Sequence, residues 1–378
     1  MSEYDYKYAV YIGRFQPPHN AHIEAMREAL KVAENLIVLV GSCDAAPSVR
    51  NPWGFAERSV MIIEALQAVG VDTKRVYLLP LRDYFYNETA WEMEVRTQVE
   101  SVTGDTQSVC LMVHFKEQSQ EYLRSLPWPK VPIPHGASYP LNATDIRSTL
   151  FHSDNPNDET WSPDTDRKWS AGLPKAVAER IRKWIHKPAY SKLRDEYRKI
   201  SAYKAQWKGL PYPPVFVTAD ALVIKSGHLL VVRRKFVPGM GLLALPGGFV
   251  KPDETIQEAA LRELKEETRI NVPKLALQKH ITQFRVFDHP DRDLRGRVIT
   301  HCCLIDLGDG SLPKVRGDDD AEHAIWVPFR NVLERPTEFY ADHAQIIYQY
   351  LMEYRWTPNS VQKRPGVEEI LAFVRDRL

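Results

Sequence analysis

Three glutamates on one predicted helix have the spacing that metal chemistry requires. Glu263, Glu266 and Glu267 stand at i, i+3 and i+4, which places them on one face of a helix predicted from Thr255 to Thr268. Like charges at these spacings repel, whereas a hard divalent cation such as Mg²⁺ takes oxygen ligands of this kind. The spacing predicts a divalent-metal site, although three glutamates alone would equally suit an ordinary acidic helix in solvent.

The remaining residues of this helix predict how the acidic face is held. Ile256, Ala260 and Leu264 recur every four residues on the opposite side, an apolar stripe that would pack on a sheet. Arg262 stands four residues before Glu266 and is predicted to pair with it, which would orient a ligand. We therefore expect the metal face to be rigid.

Two histidines form a second candidate site, after a first predicted strand at residues 8–12. His19 and His22 lie three residues apart where a helix begins, so both can face one ligand. A helix N-terminus after a parallel strand offers free N–H groups and the positive end of the helix dipole. The arrangement predicts a triphosphate-binding site; the alternative is that both histidines only cap the helix.

A further basic residue could serve the same ligand. Thr144 is predicted to cap a later helix, and Arg147, one turn on, would offer a forked cation to the β and γ phosphates of a nucleotide. An exposed surface helix would explain Arg147 alone, so this prediction depends on the two histidines.

The elements that position these residues fall into two groups. Buried strands alternate with helices in the first half, which predicts a parallel sheet wrapped by helices. A charged helical stretch interrupted by Pro188 follows, and a strand-rich region opens at residue 215. We predict an N-terminal domain at 1–187, a helical connector at 188–209 and a C-terminal domain at 210–378.

Composition limits the partners and the compartment. The 378 residues carry a net charge of +1, so no bulk field attracts nucleic acid or an anionic membrane. No apolar run approaches the roughly 20 residues of a membrane span, and the first residues do not resemble a signal peptide. We expect a cytoplasmic protein with reduced cysteines and no nucleic-acid or membrane partner. A homo-oligomer is left open.

Two motifs resemble the nucleotidyltransferase superfamily. Residues 13–22 resemble its G-x-F-x-P-x-H-x-x-H signature, and residues 141–147 resemble its I-S-x-T-x-x-R segment. The resemblance implies a Rossmann-like domain with a parallel sheet that transfers the adenylyl group of ATP. It also implies in-line attack of a mononucleotide phosphate on the α-phosphorus, with the developing charge neutralised by His19, His22, Arg14, Arg147 and Mg²⁺.

Other residues look like the nicotinamide-mononucleotide (NMN) branch of that superfamily. In this branch an aromatic ring stacks on the pyridinium and an amide recognises the carboxamide. The ATP- and NMN-binding residues that the resemblance implies are Gly13, Arg14, Phe15, Arg50, Trp53, Asn87, Trp91, Lys116 and Thr144. Three positions depart from the usual pattern, where Ala21 replaces Gly, Asn142 replaces Ser and Val113 replaces a common Gly. Ala21 would be harmful only if its φ were positive.

The acidic helix belongs to a third motif, which closely resembles the Nudix box. The box runs from Gly248 through Glu254 to residues 262–270 and implies an α/β/α Nudix fold with a mixed sheet. In that family a metal-activated water attacks a phosphate, with Mg²⁺, or Mn²⁺ as an alternative, bound by the three glutamates. Gly248, Glu254, Arg262 and Arg297 are the implied substrate-binding or supporting residues.

Residues beyond the Nudix box, and one at the end of its helix, carry further expectations. Residues 287–297 resemble the ADP-ribose branch, which makes ADP-ribose the expected substrate. The acidic loop at 317–320 would either supply a further base or be solvated. Arg269 replaces the family's usual Gly at the helix end, so we expect this helix to end differently.

The order of the two resemblances matches the bifunctional NMN adenylyltransferase/Nudix hydrolase family. It implies synthesis of NAD and pyrophosphate from NMN and ATP, and hydrolysis of ADP-ribose to AMP and ribose 5-phosphate. Two alternatives are a Nudix pyrophosphatase with a degenerate N-terminal nucleotide-binding domain, and a regulator that senses ADP-ribose. The departures at Ala21, Asn142 and Val113 motivate the first, and the intact glutamates argue against the second.

Overall fold

The computed structural model forms two compact units, Met1–Arg198 and Lys199–Leu378. It describes residues 4–104, 106, 108–113, 123, 125–133, 142–152, 168–316 and 321–354. None of the helices within these ranges has the length and apolar character needed to cross a membrane.

Strands and helices alternate along the first unit. Its strands are β1 (Tyr6–Gly13), β2 (Ala33–Val40), β3 (Val76–Pro80), β4 (Val109–Val113) and β5 (Lys130–Pro132). The helices are α1 (Asn20–Val32), α2 (Phe55–Ala68), α3 (Glu88–Thr103), α4 (Ala143–His152), α5 (Lys175–Trp184) and α6 (Pro188–Ala205), with a 3₁₀ turn at Thr73–Arg75. The last helix, α6, continues past the division between the two units.

The five strands form one parallel sheet in the order β3-β2-β1-β4-β5. Alternate residues of β1 enter different cores: Ala9 and Tyr11 pack with α1 and α2, whereas Tyr8 and Val10 pack with α3. Both faces are thus covered by helices, and the predicted parallel α/β architecture is confirmed. The strand order reverses between β1 and β4, and in such sheets ligands bind in the crevice at the carboxyl ends of the strands.

The second unit contains a larger sheet. Its strands are β6 (Val215–Lys225), β7 (His228–Arg234), β8 (Leu243–Ala244), β9 (Gly247–Phe249), β10 (Ile281–Phe287), β11 (Arg297–Asp306) and β12 (Ala321–Pro328). Its helices are α7 (Ile256–Thr268), α8 (Lys274–Lys279), α9 (Phe329–Glu334) and α10 (His343–Tyr354), with a 3₁₀ turn at Pro336–Glu338.

This sheet is mixed, as predicted. The strand order is β10-β11-β6-β7-β12, with β8 paired to β7 and β9 paired to β6, and β11 is parallel to β6 while the other pairs are antiparallel. Ala260 and Leu264 of α7 pack in one core with Ala221 of β6. Tyr350 of α10 packs against Phe287 of β10, with ring centroids 5.8 Å apart and the rings tilted by 55°.

The acidic helix α7 begins one residue after a threonine cap. The Thr255 hydroxyl accepts a hydrogen bond from Glu258 N at 3.3 Å, while the Glu258 carboxylate accepts one from Thr255 N at 2.9 Å. This reciprocal capping box satisfies two N–H groups at the helix start. The predicted span of Thr255–Thr268 therefore differs from the observed helix only in counting the cap.

Candidate functional site

A cleft of about 370 Å³ opens beside the end of β1. The residues that line it come from the β1–α1 loop, the start of α1 and the start of α4: Arg14, Phe15, Gln16, His19, His22, Asn142, Ala143, Thr144, Asp145 and Arg147. The structure thus brings together the two motifs that the sequence places more than a hundred residues apart.

The two histidines lie against each other at the start of α1. Their rings are stacked with centroids 3.6 Å apart, and His19 N donates to His22 Nδ1 at 3.2 Å. The His22 ring also meets Phe15 edge-on at 4.9 Å. The imidazoles therefore make a capping contact and also line the cleft, and their binding of a triphosphate stays a prediction.

The loop before the histidines requires a glycine. Phe15 is buried and has a φ of 51°, and its ring folds back over Gly13. A Cβ at position 13 would lie 2.7 Å from Phe15 Cζ, which is closer than such contacts allow. Gly13 therefore permits the turn that brings residues 14–16 to the cleft.

Arg147 is the buried cation of the cleft. Its guanidinium donates to Gln16 O at 2.6 Å and to the Thr144 hydroxyl at 3.2 Å. Burial, and then the positive charges of Arg14 and Arg50, lowers the pKa of Arg147 to about 10. A buried guanidinium with two further positive charges nearby favours a polyanionic ligand such as a polyphosphate.

The cap of α4 differs from the prediction. Asn142, and not Thr144, caps this helix, because Asn142 Oδ1 accepts from Thr144 N at 2.9 Å and from Asp145 N at 3.0 Å. Thr144 lies in the first turn, where its hydroxyl accepts from Arg147. Asn is as strong a cap as Ser, so this departure from the family pattern preserves the local structure.

The other two departures are also accommodated. Ala21 lies inside α1 and is not among the residues with positive φ, so its methyl group meets no backbone restriction. Val113 is the buried last residue of β4. Neither residue lines the cleft.

The aromatic residues predicted for NMN binding are placed differently. Trp53 is only 1% exposed and packs against Trp184, with ring centroids 5.0 Å apart, so its indole belongs to the core. Its main chain still serves the cleft, since Trp53 O accepts from Gln16 Nε2 at 2.8 Å. Asn87 caps α3 by accepting from Ala90 N at 3.0 Å, and Trp91 is partly buried on the same helix.

Asn87, Trp91 and Arg50 all lie outside the lining of the cleft. Lys116, with the rest of 114–122, lies outside the residues that the structure describes.

Arg58 is a residue that sequence reasoning missed. It is fully buried on α2 and donates to Arg14 O and Gly41 O, each at 2.6 Å, and to Gly54 O at 3.2 Å. One guanidinium thus ties the loop after β1 to the end of β2 and the start of α2. The sequence carries a signal for this role of Arg58. Position 58 falls on the apolar stripe of α2, and a cation buried there must have hydrogen-bond partners.

The second site is organised by Arg262 on α7. Its guanidinium contacts Glu254 at 2.6 Å, Glu263 at 2.7 Å and Glu266 at 2.8 Å, so the predicted pair with Glu266 is present within a larger network. Hydrogen bonds from Arg262 lower the pKa of Glu254 to about 2. Arg262 therefore holds Glu254 ionised and orients two of the three glutamates.

Glu267 is the buried carboxylate of this site. It accepts a hydrogen bond from Gly247 N at 3.0 Å. Burial, reinforced by the charges of Glu263 and Asp220, raises the pKa of Glu267 to about 8. Gly248 also lies against α7, because a Cβ at position 248 would be 2.4 Å from Glu263 Oε1.

The three glutamates do not surround a single point. No group of three or more His, Cys, Asp or Glu side chains in the described part of the chain has the arrangement of a metal site. Arg262 donates to Glu263 and Glu266, whereas Glu267 accepts its hydrogen bond from Gly247 N. The donor set itself is all carboxylate, and the pKa of Glu263 and of Glu267 is raised by burial, so its chemistry fits a hard divalent cation.

Two further predictions concern the edges of this site. The expectation that α7 would end differently is wrong: Arg269 adopts the left-handed conformation, with φ 43° and ψ 34°, that a glycine would supply. Arg297 donates to the main-chain oxygen of Asp288 and lies 3.6 Å from the Asp288 carboxylate. These contacts join the two ends of the 288–297 segment. The acidic loop at 317–320 lies outside the described residues.

Comparison with known proteins identifies both units. A cytidylyltransferase-like family model matches residues 10–148, and a NUDIX domain model matches residues 215–350. A nicotinamide-nucleotide adenylyltransferase of Ignicoccus hospitalis is 32% identical over 46% of this chain and 90% of its own length. An ADP-ribose pyrophosphatase of Methanocaldococcus jannaschii is 36% identical over 37% of this chain and 73% of its own length.

Solved structures of one relative cover both units together. The relative is a bifunctional NMN adenylyltransferase/ADP-ribose pyrophosphatase from Francisella tularensis, and one of its structures is complexed with AMP and a manganese ion. That complex is 35% identical, covers 92% of this chain and 99% of its own, and has a TM-score of 0.82. The fold and the sites define a protein with a nucleotidyltransferase unit and a Nudix unit. The chain belongs to the family of bifunctional NMN adenylyltransferase/ADP-ribose pyrophosphatases.

Proposed function

We propose that this chain makes NAD and pyrophosphate from NMN and ATP in its first unit, and hydrolyses ADP-ribose to AMP and ribose 5-phosphate in its second. The observation that carries the proposal is the similarity to one bifunctional enzyme across 92% of the chain. The two sites support it independently, since one gathers cations and imidazoles and the other gathers carboxylates.

In the first unit the protein acts by positioning. Arg147, His19 and His22 line one cleft and would hold the triphosphate of ATP, with Arg14 adding charge at its rim. The mononucleotide phosphate then attacks the α-phosphorus in line, the bond to the β-phosphate oxygen breaks and pyrophosphate leaves. No side chain forms a covalent bond, so the contribution of these residues is orientation and charge neutralisation.

In the second unit Glu263, Glu266 and Glu267 would hold a divalent cation, for which we propose Mg²⁺ with Mn²⁺ as a substitute. Such a cation would supply, when bound, a water of lowered pKa for attack on phosphorus. Arg262 keeps Glu263 and Glu266 oriented, and Gly247 N keeps Glu267 oriented. Glu267, whose pKa is raised to about 8, would release its proton when the cation binds.

The proposed ligands are small nucleotides. The four cysteines are unpaired, which supports a reducing compartment, and we propose the cytoplasm. A degenerate first unit is the less favoured alternative, because Ala21 is helical and Asn142 is a competent cap, so neither departure distorts the cleft.

The test is product analysis by chromatography with Mg²⁺ and either NMN plus ATP or ADP-ribose. Wild type should give NAD from the first mixture and AMP from the second. His19→Ala should lower NAD formation by about 100-fold and leave AMP release unchanged, and Glu266→Gln should do the reverse. Each variant is thus the folding control for the other. Absence of NAD with wild type would reduce the first unit to a nucleotide-binding module.

A further inference from the structure

His343 is a buried histidine that the chemistry above does not use. It is the first residue of α10, is 6% exposed, and its Nδ1 accepts a hydrogen bond from Leu245 N at 2.9 Å. An imidazole that accepts at Nδ1 is neutral and carries its proton on Nε2. Burial lowers the pKa of His343, which favours this neutral form.

The His343 imidazole accepts the hydrogen bond that a main-chain carbonyl would accept if the pairing of the two segments continued. Phe339 bridges Leu243 in parallel, and Tyr340 N donates to Leu243 O at 2.8 Å. The chain then turns at Ala341, with a φ of 49°, and Tyr340 O is bonded to His343 N. No further carbonyl of this segment is bonded to Leu245 N, and the His343 side chain supplies the acceptor instead.

The segment held in this way, residues 245–248, touches two of the three glutamates. Gly247 N donates to Glu267 Oε2 at 3.0 Å, and a Cβ on Gly248 would lie 2.4 Å from Glu263 Oε1. A Cβ on Gly247 would lie 2.1 Å from Asp220 Oδ1. The main chain therefore has little room to shift without moving the carboxylates.

The other side of His343 is anchored as well. Its neighbour Asp342 forms a buried ion pair with Arg292 at 3.0 and 3.1 Å, and the Tyr340 hydroxyl donates to Asp293 Oδ2 at 3.3 Å. Arg292 and Asp293 belong to the 288–297 segment. Residues 340–343 thus connect the 288–297 segment to residues 243–245, which precede Gly247.

We propose that His343 is a positioning residue of the hydrolase site: by holding Leu245 N it keeps residues 245–248 against Glu263 and Glu267, and so sets the affinity for the divalent cation. The inference rests on the proposed hydrolysis for its kinetic consequence, whereas its consequence for cation binding does not depend on the substrate.

The experiment compares full-length variants by Mn²⁺ titration, followed by the signal of the free ion in electron paramagnetic resonance, and by kcat and KM for ADP-ribose. His343→Leu removes the acceptor and should weaken Mn²⁺ binding and lower kcat by about 10- to 100-fold, with a smaller change in KM. Tyr350→Phe is the matched control, because it removes a buried hydrogen bond from the same helix, to Cys302 O of β11, and leaves the acceptor of Leu245 N in place. It should leave both readouts near wild type.

A second pair of variants retains a polar side chain at position 343. Asn can place its Oδ1 where Nδ1 lies and should recover most of the cation affinity, whereas Gln extends its oxygen towards the Nε2 position and should not. Equal Mn²⁺ affinity for His343→Asn and His343→Gln, or equal losses for His343→Leu and Tyr350→Phe, would overturn the inference. Wild type that binds Mn²⁺ but leaves ADP-ribose intact would refute the proposed hydrolysis, while the Mn²⁺ comparison would still decide the role of His343.

Discussion

Glu267 shows how a single carboxylate can be prepared for a cation. Its side chain is buried beside Glu263 and Asp220, and the pKa is raised to about 8 even though Gly247 N stabilises the charged form. A buried carboxylate of this kind is costly to ionise in the absence of a counter-charge, and a divalent cation supplies that charge.

This raised pKa predicts a pH dependence of stability. The folded pKa of Glu267, about 8, lies above the reference value of 4.5, so between these values the folded state holds a proton that the unfolded state has lost. The contribution of Glu267 to the free energy of unfolding is fully present below pH 4.5. This contribution falls as the pH rises towards 8, by up to about 1.4 kcal/mol per pH unit. The amide of Glu267→Gln does not titrate, so the free energy of unfolding of this variant should depend less on pH.

The measurement is urea unfolding of wild type and Glu267→Gln in EDTA from pH 5 to pH 8. The free energy of unfolding of wild type should fall relative to the variant as pH rises, and added Mg²⁺ should reverse the loss for wild type only. Parallel pH profiles for the two proteins would show that Glu267 ionises normally in the folded state.

At the scale of elements, each candidate site depends on how a helix begins. Helix α4 starts at the Asn142 cap and presents Arg147 one turn later, whereas α7 starts at the Thr255 capping box and presents its glutamates in later turns. A cap fixes the first turn of a helix and therefore the direction in which the next turn presents its side chains.

Loss of the α4 cap should reduce both stability and adenylyl transfer. Asn142→Ala removes the acceptor for Thr144 N and Asp145 N and should destabilise the first unit by about 1 kcal/mol. It should also lower NAD formation several-fold, because Arg147 is held by the same turn. Asn142→Ser restores a cap and should restore both properties, as measured by thermal unfolding and NAD assay. Equal activity of the Ala and Ser variants would show that the cap is dispensable.

The elements and the motif residues were predictable because their signals are local. Alternating apolar runs predicted the strands of the parallel sheet, and the i, i+3, i+4 spacing predicted the acidic face of α7. Trp53 was not predictable, because an aromatic that packs on Trp184 and one that stacks on a ligand look the same in a sequence. Nor were the several partners of Arg262, since only the fold brings Glu254 to the same guanidinium.

At the scale of the whole chain, α6 is the element that both units use. Tyr190 is fully buried, stacks on Phe151 at 5.9 Å and donates to Leu150 O at 2.9 Å, all within the first unit. Tyr203 lies against Phe216 of β6 at 5.9 Å, within the second unit. Residues of the predicted connector at 188–209 therefore pack within each of the two units, and its borders stay a prediction.

Two substitutions on this one helix should affect the two activities separately. Tyr190→Ala removes a buried ring and its hydrogen bond to Leu150 O of α4, and should destabilise the first unit by about 3 to 5 kcal/mol. Tyr203→Ala removes a half-buried ring beside β6 and should destabilise the second unit by about 1 kcal/mol.

The measurement is the residual rate of each reaction after a graded heat step on the full-length protein. Tyr190→Ala should lose NAD formation at a lower temperature while hydrolysis of ADP-ribose keeps the wild-type profile, and Tyr203→Ala should show the opposite order. Because both residues lie on α6, a helix that unfolds as one body would make each substitution inactivate both reactions together, and that outcome would assign the whole of α6 to a single cooperative unit.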